Sequence, residues 1–196
     1  RILRIRGNAM QNSVPEGEGG MLVILGSSID DVEKILKNNE KNFKAYIAND
    51  NSNGQIVISG KTKDLESLSE FLKQNKIKNI KLPVSAPFHC NLMEKASQIM
   101  KSELEKIEFQ KSDNILISNV TANEILNLNE LKELLIKQIE MRVRWRESIL
   151  NMVDKGVNHF VEIGPGKVLS GLIKRINKDL KITSINEQSD IETLKI

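Results

Sequence analysis

Along the first half of the chain the apolar positions switch between two periods in a fixed order. Met21-Leu22-Val23-Ile24-Leu25 is an unbroken apolar run stopped by Gly26, the pattern of a strand buried on both faces. Ser28 stands three residues before Asp31, a capping-box spacing, and Val32, Ile35 and Leu36 then stripe a short helix. Residues 45–48 and 55–59 read as strands joined through Asn51-Ser52-Asn53-Gly54, whose Asn and Gly tolerate the positive φ of a tight turn, so a hairpin is expected. Leu65, Leu68, Phe71 and Leu72 stripe a second helix, and Ile80, Leu82 and Val84 alternate with Lys81 and Pro83 as a closing strand. The order is βαββαβ, that of a ferredoxin-like unit of about 65 residues.

Past Val84 the helices lengthen. Met93, Ala96, Met100, Leu104 and Ile107 mark one helical face, and Leu131, Leu134, Leu135 and Ile139 a second. Trp145, Ile149, Met152 and Val153 mark a third, closed by Gly156 at a natural C′ position. Residues 115–118, 160–163 and 182–185 read as strands, with a last helix striped by Val168, Leu169, Leu172, Ile173 and Ile176. Such alternation predicts an α/β fold, with a mostly parallel sheet covered by helices and a small α+β unit inserted near the start. Arg1 to Gln11 already reads as the middle of an element, so the chain is expected to begin partway through a longer protein.

Composition narrows the function classes. A chain of 196 residues that is 39% hydrophobic can bury a real core. The formal charge of +3 is spread among alternating Lys and Glu with no block of five like charges, which argues against a nucleic-acid-binding tail and leaves room for acidic or phosphorylated partners. One cysteine forms no internal disulfide, so a cytoplasmic or organelle-matrix setting is the default. No apolar run approaches the roughly 20 residues that a membrane-spanning helix needs.

Two residues stand where chemistry could be done. His89 follows a predicted strand through a Pro-constrained loop, and an imidazole exchanges protons near neutral pH; on position and residue type alone, a structural histidine is the commoner case. Arg6 lies between apolar Ile5 and Met10, where a half-buried guanidinium needs a partner and its planar fork matches a carboxylate; a surface ion pair is the plainer alternative. His159 reads as a surface residue, and Gly164-Pro165-Gly166-Lys167 as a tight turn rather than a phosphate loop, because it lacks the full spacing of either glycine-rich motif. Cys90 adjoins His89, and adjacent side chains diverge, so the two do not make a nucleophile–base pair. No metal-ligand spacing occurs, and no G-x-S-x-G elbow.

Taken in order, Arg6-Gly7-x-x-Met10-Gln11, Val14-Pro15-x-Gly17-x-Gly19-x-Met21 and Asn49-x-Asn51-Ser52-x-Gly54-Gln55-x-Val57-x-Ser59-Gly60 resemble the malonyl-CoA:acyl carrier protein transacylase family. So do Pro83-Val84-Ser85-x-Pro87-Phe88-His89, Val143-Arg144-Trp145 and Glu162-Ile163-Gly164-Pro165-Gly166-Lys167-Val168-Leu169. The resemblance implies a partial α/β-hydrolase-like large subdomain, residues 1–18 and 85–196, with a ferredoxin-like small subdomain, residues 19–84, inserted in it and the active site between them. It implies malonyl transfer from malonyl-CoA to the phosphopantetheine thiol of acyl carrier protein through an acyl-serine, in fatty acid synthesis in the cytoplasm, with no tightly bound cofactor or metal and no nucleic-acid or membrane partner.

Carried over by motif, His89 is the catalytic base and acid, and Arg6 clamps the malonate carboxylate. Met21, Asn49, Asn51, Gln55 and Val84 line the pocket or the pantetheine channel, and a backbone carbonyl near Arg144 orients the imidazole. The resemblance also implies that the serine elbow and an oxyanion segment precede the Arg6 motif, so this piece alone is expected to be inactive. Arg142 stands where the family usually has Pro. Two other readings share these features: the acyltransferase domain of a polyketide synthase, against which the short stretch after residue 185 argues, and a non-catalytic module that binds a carrier protein or CoA.

Overall fold

In the computed structural model, residues 1–192 are described, so the last four positions assigned above to the large subdomain lie outside the described residues. Helix α1 (Ile2–Gln11) precedes strand β1 (Gly19–Leu25), helix α2 (Ile29–Asn38), strands β2 (Ala45–Ser52) and β3 (Gln55–Lys61), helix α3 (Thr62–Gln74) and strand β4 (Lys78–Lys81). The four strands form one antiparallel sheet in the order β2-β3-β1-β4. The unbroken apolar run of β1 has the expected cause, since both of its faces are covered. Leu22 and Ile24 pack with Val32, Ile56, Ile58, Leu65, Leu68 and Leu72 beneath α2 and α3, while Met21 and Val23 pack with Ala48, Val57 and Phe88 on the other side. Ser28 caps α2, its hydroxyl accepting from the Asp31 amide at 3.2 Å.

The second half holds a 3-10 turn (Asn91–Met93), helices α4 (Glu94–Glu105), α5 (Leu128–Lys137) and α6 (Trp145–Asp154), strand β5 (His159–Ile163), helix α7 (Val168–Ile176), strand β6 (Lys181–Ile185) and helix α8 (Gln188–Glu192). Helix α1 returns to this half: Ala9 and Met10 share a core with Met93, Ala96, Met100, Leu104 and Ile139. Strands β5 and β6 pair in parallel, and α6 and α7 pack over them around Ile149, Ile173 and Leu180.

Three expectations are corrected. The closing strand of the sheet spans residues 78–81 rather than reaching Val84; the Val84 amide turns back to the Leu82 carbonyl at 2.8 Å, and Pro83 has no N–H to extend the ladder. Residues 115–118 form no strand but a single bridge, Ile117 with Glu124, and Ile115 and Leu116 are exposed. The parallel sheet has two strands among the described residues, fewer than the three expected, and Val161 and Ile163 on one face of β5 stand exposed, as does Val168 at the start of α7.

The loop from β4 to the 3-10 turn is seated by a close approach. Gly19, the first residue of β1, is buried under Pro87, and a Cβ built there would lie 2.4 Å from Pro87 Cδ and 2.6 Å from Cγ. Gly19 therefore acts through the room it leaves for a rigid ring. Gly19→Ala is expected to cost about 1–3 kcal/mol through overpacking, measured by urea denaturation, and to shift the nuclear magnetic resonances of His89 two residues beyond the ring. Unchanged stability together with an unchanged His89 spectrum would show that the ring is not seated there.

Candidate active site

The loop that Pro87 anchors delivers His89 in a left-handed backbone conformation, φ 60°, which costs a residue with a Cβ about 1–2 kcal/mol and calls for tight surroundings. Those surroundings are present. Ala86, Pro87 and Cys90 are buried, the Cys90 thiol donates to the Pro87 carbonyl at 3.1 Å, and Phe88 packs against the sheet face that holds Met21 and Val23.

The imidazole is gripped from the turn that ends α5. His89 Nδ1 lies 2.8 Å from the Gln138 main-chain carbonyl. A carbonyl oxygen only accepts, so Nδ1 carries the proton, and in the neutral ring Nε2 presents its lone pair. Burial is the main cause that holds the His89 pKa below its ordinary 6.5; the bond to Gln138 opposes this and the positive charge of Arg6 adds to it. The ring is thereby poised as a neutral base.

Arg6 reaches the same turn from α1. Its Nη2 donates to the side-chain oxygen of Gln138 at 3.2 Å. Gln138 thus holds His89 with its main chain and Arg6 with its side chain, and two residues 83 positions apart in sequence meet at one point. Arg6 is half-buried, burial depresses its pKa, and among the described residues it pairs with no carboxylate. A guanidinium in that state has donors with which it can bind an anion.

The remaining sequence-predicted residues sit on the antiparallel sheet or beside it. Met21 is buried in the sheet face turned toward Phe88, and Val84 is exposed on the loop leading to His89. Asn49 bridges in parallel to Val143, with the Val143 amide donating to the Ala48 carbonyl at 2.8 Å and the Asp50 amide to the Val143 carbonyl at 3.0 Å. Asn51 lies one residue beyond Asp50, and Gln55 accepts from Arg175 of α7 at 3.4 Å. A cleft of about 490 Å³ opens beside His89, lined by Glu33, Tyr46, Asn91, Glu140 and Arg142 among others.

Two other expectations, the orienting carbonyl and His159, need correction. The carbonyl that orients the imidazole belongs to Gln138, not to the neighbourhood of Arg144; the Arg144 carbonyl instead accepts from the Ser148 amide at 2.9 Å and hydroxyl at 2.8 Å. A main-chain acceptor leaves no mark in sequence, and a glutamine ending a helix is unremarkable. His159 is half-buried rather than on the surface, with its Nε2 2.9 Å from the Thr183 hydroxyl. Arg142, where a proline was usual in the resemblance, forms ion pairs with Glu33 of α2 at 3.0 Å and Glu147 of α6 at 2.9 Å. The Gly164-Pro165-Gly166 turn offers no free helix terminus, because the Glu162 carboxylate accepts from the amides of Leu169 at 3.0 Å and Ser170 at 2.7 Å.

With this geometry in place, comparison defines the class. The sequence matches the acyl transferase domain family over residues 1–193, and the chain belongs to that family. The malonyl CoA-acyl carrier protein transacylase of Bacillus subtilis is 42% identical over 192 residues, 97% of this chain and 61% of its own. The crystal structure of an acyl-carrier-protein S-malonyltransferase from Bartonella henselae superposes with a TM-score of 0.93 at 43% identity, over 98% of this chain and 62% of that one. A malonyl-transacylase solved in complex with its type II PKS acyl-carrier protein gives a TM-score of 0.92 at 34% identity, over 98% of this chain and 63% of that one. The chain spans about three fifths of the length of the curated relatives it matches.

The electrostatics yield a signed expectation. The folded-state pKa of His89 lies below 6.5, so the unfolded chain takes up the proton first as the pH falls; this contribution to stability is complete above about pH 6.5 and is lost progressively below it. Nuclear magnetic resonance titration should find His89 titrating below the 6.5 of an unperturbed histidine, and Arg6→Gln should raise the His89 value by removing a repelling charge. A His89 pKa at or above 6.5 that ignores Arg6 would place the ring in solvent.

Proposed function

We propose that the chain carries the general base and the carboxylate receptor of a malonyl-CoA:acyl carrier protein transacylase of fatty acid synthesis, a cytoplasmic enzyme whose chemistry needs no tightly bound cofactor. The observation that carries this reading is the convergence of His89 and Arg6 on Gln138. Relatives that are malonyl CoA-acyl carrier protein transacylases support the acyl donor, and the carrier-protein complex supports the acceptor. The nucleophile, on this reading, is a serine in sequence preceding Arg6, since no G-x-S-x-G occurs in these residues.

In the first half-reaction His89 Nε2 takes the serine proton as the oxygen attacks the thioester carbonyl, and the tetrahedral intermediate collapses to a malonyl-serine ester. The proton passes to the departing CoA thiolate. In the second, Nε2 takes the proton of the pantetheine thiol as its sulfur attacks the ester, and returns it to the serine oxygen. Throughout, Nδ1–H stays bonded to the Gln138 carbonyl, which fixes the ring plane and favours the imidazolium that forms transiently. Arg6 holds the free carboxylate at the far end of the malonyl group, so that a diacid is selected over a simple acyl group.

The same reading treats residues 19–84 as a ferredoxin-like subdomain, supported by the strand order β2-β3-β1-β4 with α2 and α3 on one face. Residues 1–18 and 85–196 are then part of a hydrolase-like α/β subdomain. Met21, Asn49, Asn51, Gln55 and Val84 are assigned to the pocket or channel between the two.

In the full-length polypeptide, Arg6→Ala should lower kcat/KM for malonyl transfer by about a hundredfold or more, the usual size of a lost desolvated charge contact, with acetyl transfer spared. Equal losses for both acyl groups would remove Arg6 from substrate recognition. Intact-mass analysis of His89→Ala with malonyl-CoA should show no acyl-enzyme on the time scale at which the wild type is fully loaded; normal loading would exclude His89 as the base.

A further inference from the structure

Asp50 is fully buried in the middle of β2, and its carboxylate meets one guanidinium. Arg146 Nε lies 3.0 Å from each carboxylate oxygen, and Nη2 lies 2.7 Å from Oδ2. Arg146 stands in the first turn of α6, so this pair joins the antiparallel sheet to the helical half of the molecule. It reinforces a main-chain tie at the same place, where Val143 exchanges hydrogen bonds with Ala48 and Asp50.

The local backbone explains why such a tie is needed. Strand β2 shifts register twice, between Ile47 and Asn49 and again between Asp50 and Ser52. A strand with a bulge on either side of Asp50 loses the strict alternation that would otherwise fix which way Asn49 and Asn51 face. Position must then be imposed from outside the sheet. The anchor lies eight residues after Gln138, on the segment whose carbonyl orients His89.

Energetics argue against stability as the reason for the pair. Taking a carboxylate and a guanidinium out of water costs much of what their attraction returns, and an apolar pair of similar volume commonly holds a fold as well or better. What an apolar pair lacks is direction. From this we infer that Asp50 and Arg146 are positioning residues, which fix the bulged stretch bearing Asn49 and Asn51 at a set distance from the turn that orients the imidazole, and so shape the site for the acyl thioester. The inference rests on the function proposed above for the part that concerns substrate.

The test compares the full-length wild type with Asp50→Leu, Arg146→Met and the double variant. Each single variant strands a buried charge or donor fork and should lower the thermal midpoint, while the double variant should recover it. In the double variant the KM for malonyl-CoA should nevertheless rise about tenfold with kcat nearly kept, the signature of lost ground-state positioning. Independently of turnover, hydrogen exchange at the Asp50 and Val143 amides should quicken about tenfold while the amides of β1 and β3 keep their protection. A double variant with wild-type KM and wild-type protection at Asp50 overturns the inference, as does a fall in kcat and midpoint together, which marks general disruption. Absence of a malonyl-enzyme in the wild type sinks the function reading instead, and the exchange data still decide whether the pair positions the strand.

Discussion

The bond between His89 and the Gln138 carbonyl is the constraint around which the site is organised. It joins a loop that leaves the antiparallel sheet to a turn that ends α5, and it sets both the tautomer and the plane of the ring. His89 must adopt a positive φ to make it. The strain is affordable because the loop is held on three sides: Pro87 rests on a residue with no side chain, Phe88 is sunk in the sheet's second core, and the Cys90 thiol closes back on the Pro87 carbonyl.

Helix α1 depends on the same turn from the other direction. Its buried residues Ala9 and Met10 pack with α4 and Ile139, one residue after Gln138, so the packing that seats the helix also brings Arg6 to the Gln138 side chain. The two lone candidates of the sequence, each compatible with a bland structural role, thereby become one site. A guanidinium half out of water with an amide as its partner and no carboxylate among the described residues is a poor structural device and a good anion receptor.

Much of the fold was legible because its signals are local. The stripes of α2, α3, α4, α6 and α7 repeat at a period that only a helix satisfies, and the Ser28 cap is written in four consecutive residues. Failures occurred where the deciding partner is remote. Residues 115–118 have a strand's composition but only one bridging residue opposite them, and Val161 and Ile163, alternate positions on one face of β5, stand exposed among the described residues. Motif resemblance singled out His89 and Arg6, yet Gln138, which meets the first through its main chain and the second through its side chain, was missed. Asp50 and Arg146 were missed for a related reason: 96 residues separate them, and a single acidic residue in a strand gives no hint of its partner.

The two halves of the site are coupled electrostatically, in a direction that favours the proposed reaction. The positive charge of Arg6 disfavours protonation of His89, adding to the larger effect of burial. On the function proposed above, a malonyl carboxylate docked on Arg6 would offset that charge and so ease formation of the imidazolium. An acetyl group, with no carboxylate to offer, leaves the repulsion in place. On that proposed function, Arg6 would therefore favour a diacid in two ways, by gripping its carboxylate and, once its charge is offset, by easing protonation of the ring. The shared attachment to Gln138 keeps cation and imidazole close enough to feel each other, which is the geometric condition for that coupling.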